Sequence, residues 1–179
     1  IGTPEADYID PFLMLDEFGS ENKDDYLAGF PPHPHRGIET VTYMLHGEFE
    51  HKDSTGSKGK MVPGDVQWMK TGRGIIHSEM PAMTGGKLLG FQLWINMPAN
   101  LKKNKPEYIY IKGNELGIHE DSEKKVKVIA GKYENAKGPQ KNHNVEPIYF
   151  HIILNEGKEF KCEVPEGHNS FIYLLKGEL

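Results

Sequence analysis

Short apolar runs with period two recur along most of the chain. In the run from Leu88 to Ile95, the side chains of Leu89, Phe91, Leu93 and Ile95 alternate with other positions, as they do in a half-buried strand. Gly, Pro, Asn and Asp separate such runs at intervals of roughly eight to fifteen residues, and helical spacing is scarce. The pattern predicts an all-β body with strands at Ile9–Leu15, Glu39–Leu45, Glu48–Lys52, Val66–Thr71, Ile75–Glu79, Leu88–Ile95, Val126–Ala130, Ile148–Leu154, Phe160–Val164 and Ser170–Leu175.

Two polar, lysine-bearing segments interrupt this pattern and indicate a connection between two β units. Asn100–Lys105 and His119–Lys127 bracket a stretch with weak periodicity. On either side of it lies a loose repeat, since YMLHGEFEH at Tyr43–His51 resembles YLLKGEL at Tyr173–Leu179. The second copy stops straight after its Gly-Glu turn, where a sheet would keep an exposed edge. We therefore expect the parent chain to continue.

Composition and charge limit the kinds of partner that we expect the protein to bind. The chain has 179 residues, which is enough for a sizeable core, and a formal net charge of −5, which gives no broad field that attracts phosphate or an anionic membrane. The single thiol, Cys162, cannot form an internal disulfide, and no apolar run approaches the roughly 18 residues of a membrane span. We expect no direct nucleic-acid or membrane partner and a cytoplasmic location, or a nuclear one if the source is a eukaryote.

Two pairs of potential metal ligands share the same spacing. They are His33 and His35, separated by Pro34, and His77 and Glu79, separated by Ser78. Residues two apart in an extended chain project from one face, so two adjacent strands of this kind would bring three imidazoles and one carboxylate together. This donor set suits Fe, Mn, Co, Ni, Zn or Cu rather than Ca or Mg, and it leaves positions open for a substrate or dioxygen.

These residues belong to a longer stretch that resembles a known family. The segment Phe30–Pro81 contains HPHRG, PGD, QWM, GRGI and H-x-E in that order, and it resembles the N-terminal cupin of the pirin proteins. DPFLMLDEF at Asp10–Phe18 and FQLWINMP at Phe91–Pro98 are similar to the flanking stretches in that family. Pirins are bicupins, so the resemblance implies a cupin-type jelly-roll β-sandwich or barrel. It divides the chain into an N-terminal metal-binding cupin at 1–100, a linker with connecting strands at 101–147, and the start of an incomplete C-terminal cupin at 148–179.

The resemblance also implies a ligand set for one divalent transition metal, most often Fe(II), with Ni, Mn, Co, Cu and Zn as alternatives. The general cupin pattern His-x-His-x3-Glu would recruit Glu39 instead. On an unbent strand Glu39 would lie about 13 Å beyond His35, so we expect a structural role for it beside the metal site. Carried over by motif, the metal ligands are His33, His35, His77 and Glu79.

The other histidines have weaker patterns around them. His168 has no second histidine two residues away, so we expect the C-terminal cupin to be metal-free. We expect His143 and His151 to be ordinary surface or core residues, and His46 and His51 to lie in turns or on strand surfaces rather than at the mouth of the cavity.

Large side chains near the ligand strands could lie either in a ligand pocket or in the core. Trp68, Met69, Phe91 and Trp94 could wall an apolar pocket for a flat aromatic ligand. Because large side chains in a β-sandwich usually form its core, we expect core positions for them.

The resemblance implies two functions of different kinds. Several pirins are described as quercetinases, which use dioxygen to open the central ring of a flavonol with release of carbon monoxide. In such an enzyme Glu79 would be both a ligand and the catalytic base that takes the substrate hydroxyl proton. Animal pirins act as iron-dependent co-regulators of transcription, so the alternative is a redox-sensing protein with a regulatory protein partner and no turnover. A third alternative is a cupin that binds metal for stability only.

Overall fold

The computed structural model describes residues 1–4, 7, 9–139 and 144–178. Strands dominate these residues, and their helical segments are single 3-10 turns that could not cross a membrane. The all-β prediction is therefore confirmed. In chain order the strands are β1 (Phe12–Ser20), β2 (Phe30–His35), β3 (Ile38–His46), β4 (Phe49–Asp53), β5 (Lys58–Met61), β6 (Val66–Lys70), β7 (Ile75–Pro81), β8 (Leu88–Asn96), β9 (Glu107–Ile111), β10 (Gly117–Glu120), β11 (Lys124–Ala130), β12 (Lys132–Tyr133), β13 (Ala136–Lys137) and β14 (Tyr149–Leu154).

Two antiparallel sheets form a β-barrel. The larger sheet has the strand order β1-β8-β3-β6-β9, and the smaller one has the order β2-β7-β4-β5. Hydrogen bonds from Thr42 on β3, Gln67 on β6 and Gln92 on β8 reach Glu79 on β7, so the two sheets face each other across a narrow interior. This is the predicted jelly-roll arrangement.

The larger sheet is covered on both faces, which explains its long runs of buried residues. Val41 and Tyr43 of β3 belong to an outer core that also contains Ile129 of β11. The alternate residues Thr42 and Met44 point into the barrel, where Met44 packs in an apolar cluster with Phe18, Tyr26, Phe49, Met61 and Leu88. The barrel interior therefore has one apolar end and one polar end.

The stretch between the two lysine-bearing segments contributes a strand to this barrel. β9 pairs with β6, with Ile109 opposite Trp68, and β10 joins a separate three-stranded sheet of order β10-β11-β14. Apart from Glu107, the residues of β9 are Tyr or Ile, and they cover both faces of the sheet. Polar residues do not alternate with apolar ones in β9, so the segment lacks the period-two pattern of a half-buried strand. Its sequence therefore resembles that of a connecting segment. The division of the chain after residue 100 stays a prediction.

The prediction of the two strands nearest the C-terminal end is wrong. Residues 155–178 contain no strand, so Phe160–Val164 and Ser170–Leu175 have irregular backbone. Side chains nevertheless attach this segment to the barrel, because Phe171 packs edge-on against Phe12 with ring centroids 5.2 Å apart, and the Asn169 amide donates to the carbonyl of Asp10. Alternating polarity shows which side chains can be buried, but a strand also needs a neighbouring backbone with which to pair.

Candidate metal centre

The register of the smaller sheet places the two predicted ligand pairs on adjacent strands. His33 on β2 is the Cα partner of His77 on β7, and His35 lies opposite Ile75. The β2–β7 ladder shifts register between Phe30 and His33, so the pairing resumes at the first histidine. All three imidazoles consequently lie on the same face of the smaller sheet.

The histidine cluster, His33, His35 and His77, is compact. The Nε2 atoms of His33 and His35 are 3.1 Å apart. The ring centroid of His77 lies 4.4 Å from that of His33 and 4.9 Å from that of His35. One ring nitrogen from each residue can be chosen so that all three lie within 4.8 Å of one another. His35 and His77 are buried, whereas His33 is half-buried.

The lone pairs of this cluster fit a transition metal. The Pro31 carbonyl, 2.7 Å from His33 Nδ1, can only accept, so Nδ1 donates and the Nε2 lone pair of His33 faces His35. Burial and the neighbouring His33 lower the pKa of His35 to about 4, and burial with the surrounding histidines lowers that of His77 to about 3. Neutral imidazole is the form that binds metals. His77 Nε2 is buried without a hydrogen-bond partner among the described residues, as expected for a nitrogen reserved for a ligand.

Glu79 lies next to the histidine cluster but faces the larger sheet. Its Oε1 accepts hydrogen bonds from Thr42 and Gln67, both at 3.1 Å, and its Oε2 accepts one from Gln92 at 3.0 Å. The three donors form one row across the sheet, because Thr42 is the Cα partner of both glutamines. Glu79 groups with His51 and His77 within 4.8 Å, so the four predicted ligands occupy two overlapping groups that share His77.

His51 is the site residue that the sequence interpretation missed. The expectation of a turn or strand-surface role is wrong, because His51 is fully buried and stacks on Tyr108 with ring centroids 4.5 Å apart. Its Nε2 lies 3.0 Å from Asp53 Oδ2. The signal in the sequence was the same spacing of two residues, His51-Lys52-Asp53, that marked the other two pairs.

His46, His151 and His168 do not belong to the histidine cluster. His46 and His168 are exposed, and His151 is half-buried, with its Nδ1 hydrogen-bonded to the Tyr43 hydroxyl at 2.9 Å. The expectation for His143 falls outside the residues that the structure describes.

Glu39 has the geometry of a structural carboxylate. The Trp68 indole N–H donates to its Oε2 at 2.5 Å, and both residues are fully buried. Burial is the main influence on Glu39 and raises its pKa. Trp68, Met69 and Phe91 are buried as predicted for core residues, whereas Trp94 is only half-buried.

A groove of about 500 Å³ opens beside the cluster. The ring centroids of His35 and Trp94, which both line it, are 4.9 Å apart in an edge-on arrangement. Its volume lies within the roughly 300–1,000 Å³ usual for small-molecule sites. The other lining residues are Gly2, Leu13, Met14, Pro34, Arg36 and Ile38.

A jelly roll that gathers histidines and a glutamate between its sheets defines a cupin. Residues 1–95 match the family model described as Pirin, and the chain belongs to the pirin family. It is 45% identical over 181 residues to a pirin-like protein of Caulobacter vibrioides and 44% identical over 184 residues to a Pseudomonas aeruginosa protein provisionally named a quercetin 2,3-dioxygenase. Both alignments cover 100% of this chain, which spans 66% and 65% of those relatives' lengths.

Solved structures agree with this assignment. A crystal structure of a Geobacillus kaustophilus protein superimposes with a TM-score of 0.74 at 38% identity, over 85% of this chain and 58% of the other. A quercetin 2,3-dioxygenase from Acinetobacter baumannii gives a TM-score of 0.64 at 36% identity, over 74% and 49%. The Escherichia coli pirin YhhW in complex with nickel(II) gives 0.56 at 25%, over 70% and 58%.

Proposed function

We propose that this chain is the metal-binding cupin of a mononuclear iron dioxygenase that opens flavonols such as quercetin. The proposed ligands of the divalent metal are His33, His35, His77 and Glu79. The observation that carries the proposal is the histidine cluster itself, whose buried His77 Nε2 has no partner among the described residues. The relatives named as quercetin 2,3-dioxygenases support the choice of reaction.

The residues around the cluster have distinct roles in this proposal. When bound, the metal supplies a Lewis acid for a substrate hydroxyl and a redox centre for reaction with dioxygen. The groove beside His35 and Trp94 admits a flat aromatic substrate and orients it against the indole ring. Glu79 takes the proton of the flavonol hydroxyl at a carboxylate oxygen.

Thr42 and Gln92 give Glu79 a defined resting position through one hydrogen bond to each of its oxygens. A carboxylate held in this way can receive a proton without a search through rotamers, which is the advantage of a preorganised base. Apolar residues at the other end of the barrel, including Phe49 and Met61, keep water from entering behind it.

The test combines metal content with dioxygen uptake. The protein is purified without added metal, analysed for bound elements, loaded with Fe(II) and mixed with quercetin in an oxygen-electrode cell. Steady dioxygen consumption with carbon monoxide release supports the dioxygenase. Tight iron binding without consumption rejects it in favour of the redox-sensing regulatory alternative, and a metal that changes only the melting temperature favours a structural role.

A further inference from the structure

Two polar residues on β4 lie directly against the proposed ligands on β7. Asp53 is the Cα partner of His77, and His51 is the Cα partner of Glu79. The side chains of His51 and Asp53 are fully buried. Each polar atom of this buried His-x-Asp pair should have a hydrogen-bond partner, because an unpaired buried polar group would destabilise the fold.

The tautomer of His51 follows from its two neighbours. Asp53 Oδ2, a carboxylate oxygen that only accepts, lies 3.0 Å from His51 Nε2, so Nε2 carries the hydrogen. At the opposite nitrogen, the Gln67 amide lies 3.1 Å from His51 Nδ1. That amide group is oriented by its bond to Glu79 Oε1, so its nitrogen donates and His51 Nδ1 accepts.

The tautomer of His77 follows in turn. His77 Nδ1 lies 3.4 Å from His51 Nδ1, whose one lone pair it shares with the nearer Gln67 amide. Because His51 Nδ1 carries no hydrogen, the hydrogen between the two rings is on His77 Nδ1. A neutral imidazole has one N–H, so the lone pair of His77 is on Nε2. This is the buried nitrogen that has no partner among the described residues.

We propose that Asp53 and His51 form a relay that sets the tautomer of His77 and so presents its Nε2 lone pair to the metal. Both are positioning residues, since Asp53 acts through His51 and His51 acts through Nδ1–H of His77. A carboxylate is one of the common outer partners of a metal-bound histidine, and here an imidazole lies between the two. The inference rests on the proposed function only in taking His77 as a ligand.

The test is the substitution Asp53→Asn, which should reverse the tautomers of His51 and His77. The introduced amide can donate to His51 Nε2, which moves the hydrogen of His51 to Nδ1 and that of His77 to Nε2. The Gln67 amide, whose nitrogen now donates to His51 Nδ1, must turn its oxygen toward that position. In metal-free protein with 15N-labelled imidazoles, long-range 1H–15N spectra should show His77 changing from the Nδ1–H to the Nε2–H tautomer. Competition with a chromogenic chelator should show Ni(II) binding roughly 10- to 100-fold more weakly.

The chain contains a matched control for this substitution. His119 Nε2 lies 3.1 Å from Asp121 Oδ2, again two residues apart, and Asp121 Oδ1 accepts from the backbone of Glu123 and Lys124. Asp53 Oδ1 likewise accepts from backbone N–H groups of the turn that follows it. Asp121→Asn should therefore change neither the His77 spectrum nor the Ni(II) affinity.

A rescue experiment separates the relay from damage to the turn. The amide of a glutamine at position 51 can rotate to pair with either aspartate or asparagine at position 53. In the His51→Gln background, Asp53→Asn should therefore leave the Ni(II) affinity unchanged, so the double variant should bind Ni(II) as tightly as His51→Gln alone. His51→Leu, which leaves the Asp53 turn intact, should give mixed His77 tautomers and covers the case in which Asp53→Asn does not fold. An unchanged His77 tautomer in Asp53→Asn or His51→Leu overturns the relay. Wild-type protein that binds no Ni(II) overturns the metal function, while the metal-free spectra still decide the relay.

Discussion

His33 on β2 lies directly opposite His77 on β7, and their imidazole centroids are 4.4 Å apart. Paired residues in an antiparallel ladder share a face, so this register places both proposed ligand pairs on the same face of the smaller sheet. The two sides of β7 differ sharply, since Ile76 is 54% exposed and His77 is 1% exposed. A slip of one residue would turn His77 to solvent and leave no cluster.

Removal of one imidazole from this cluster should greatly weaken metal binding. His35→Ala leaves two histidines, and the affinity for Fe(II) or Ni(II) should fall by more than the roughly 10- to 100-fold typical of an outer-shell change. Elemental analysis and chelator competition measure the loss. His46→Ala removes an exposed histidine and serves as the control. Full metal occupancy in His35→Ala would contradict the ligand assignment.

The base role of Glu79 should be separable from metal binding. Glu79→Gln keeps the size of the side chain but is no longer a carboxylate base, so flavonol oxidation by the iron-loaded protein should fall by about 10²–10⁴-fold. Much of the metal should remain, because three imidazoles still bind it. Glu50→Gln on the exposed side of β4 is the matched control. Unchanged turnover in Glu79→Gln would eliminate the role.

The stability of the metal-free protein should depend on pH through the buried histidines. Burial lowers the pKa of His35 to about 4 and that of His77 to about 3, whereas both regain an ordinary value of about 6.5 on unfolding. Below about pH 6.5 the unfolded chain therefore binds protons that the folded protein does not. The free energy of unfolding should fall as pH falls toward 4, by up to about 1.4 kcal/mol per pH unit for each histidine.

Urea unfolding of the metal-free protein at several values between about pH 7.5 and 4.5 measures this dependence. A His35→Gln variant should show a shallower decline, since His35 no longer takes up a proton on unfolding. The same slope in both proteins would show that other groups cause the acid sensitivity.

The bond between Trp68 and Glu39 should stabilise the barrel. Trp68→Phe removes the N–H that donates to a buried carboxylate, and the free energy of unfolding should fall by roughly 1.5–3 kcal/mol. Trp94→Phe is the matched control, because the buried Nε1 of Trp94 has no partner among the described residues. Equal losses in the two variants, measured by chemical denaturation, would mean that ring packing rather than the hydrogen bond dominates.

Local spacing was enough to predict which of the proposed ligands share a strand face. His33 and His35 share a face of one strand because side chains alternate in an extended chain, and the same holds for His77 and Glu79. His51 and Asp53 have this spacing too, but nothing local distinguishes a buried His-x-Asp pair from the exposed pair formed by His119 and Asp121.

The amino-acid sequence by itself determined the all-β class, the family and which residues share a strand face, since these depend on covalent geometry and on short motifs. Only the tertiary structure decided that β4 lies beside β7, which buries His51 behind His77, and that Glu79 bonds to the row of Thr42, Gln67 and Gln92. It also decided that Ser170–Leu175 pairs with no strand among the residues that the structure describes. Strand neighbours are chosen by contacts between distant parts of the chain, whose free energy no local window of residues contains.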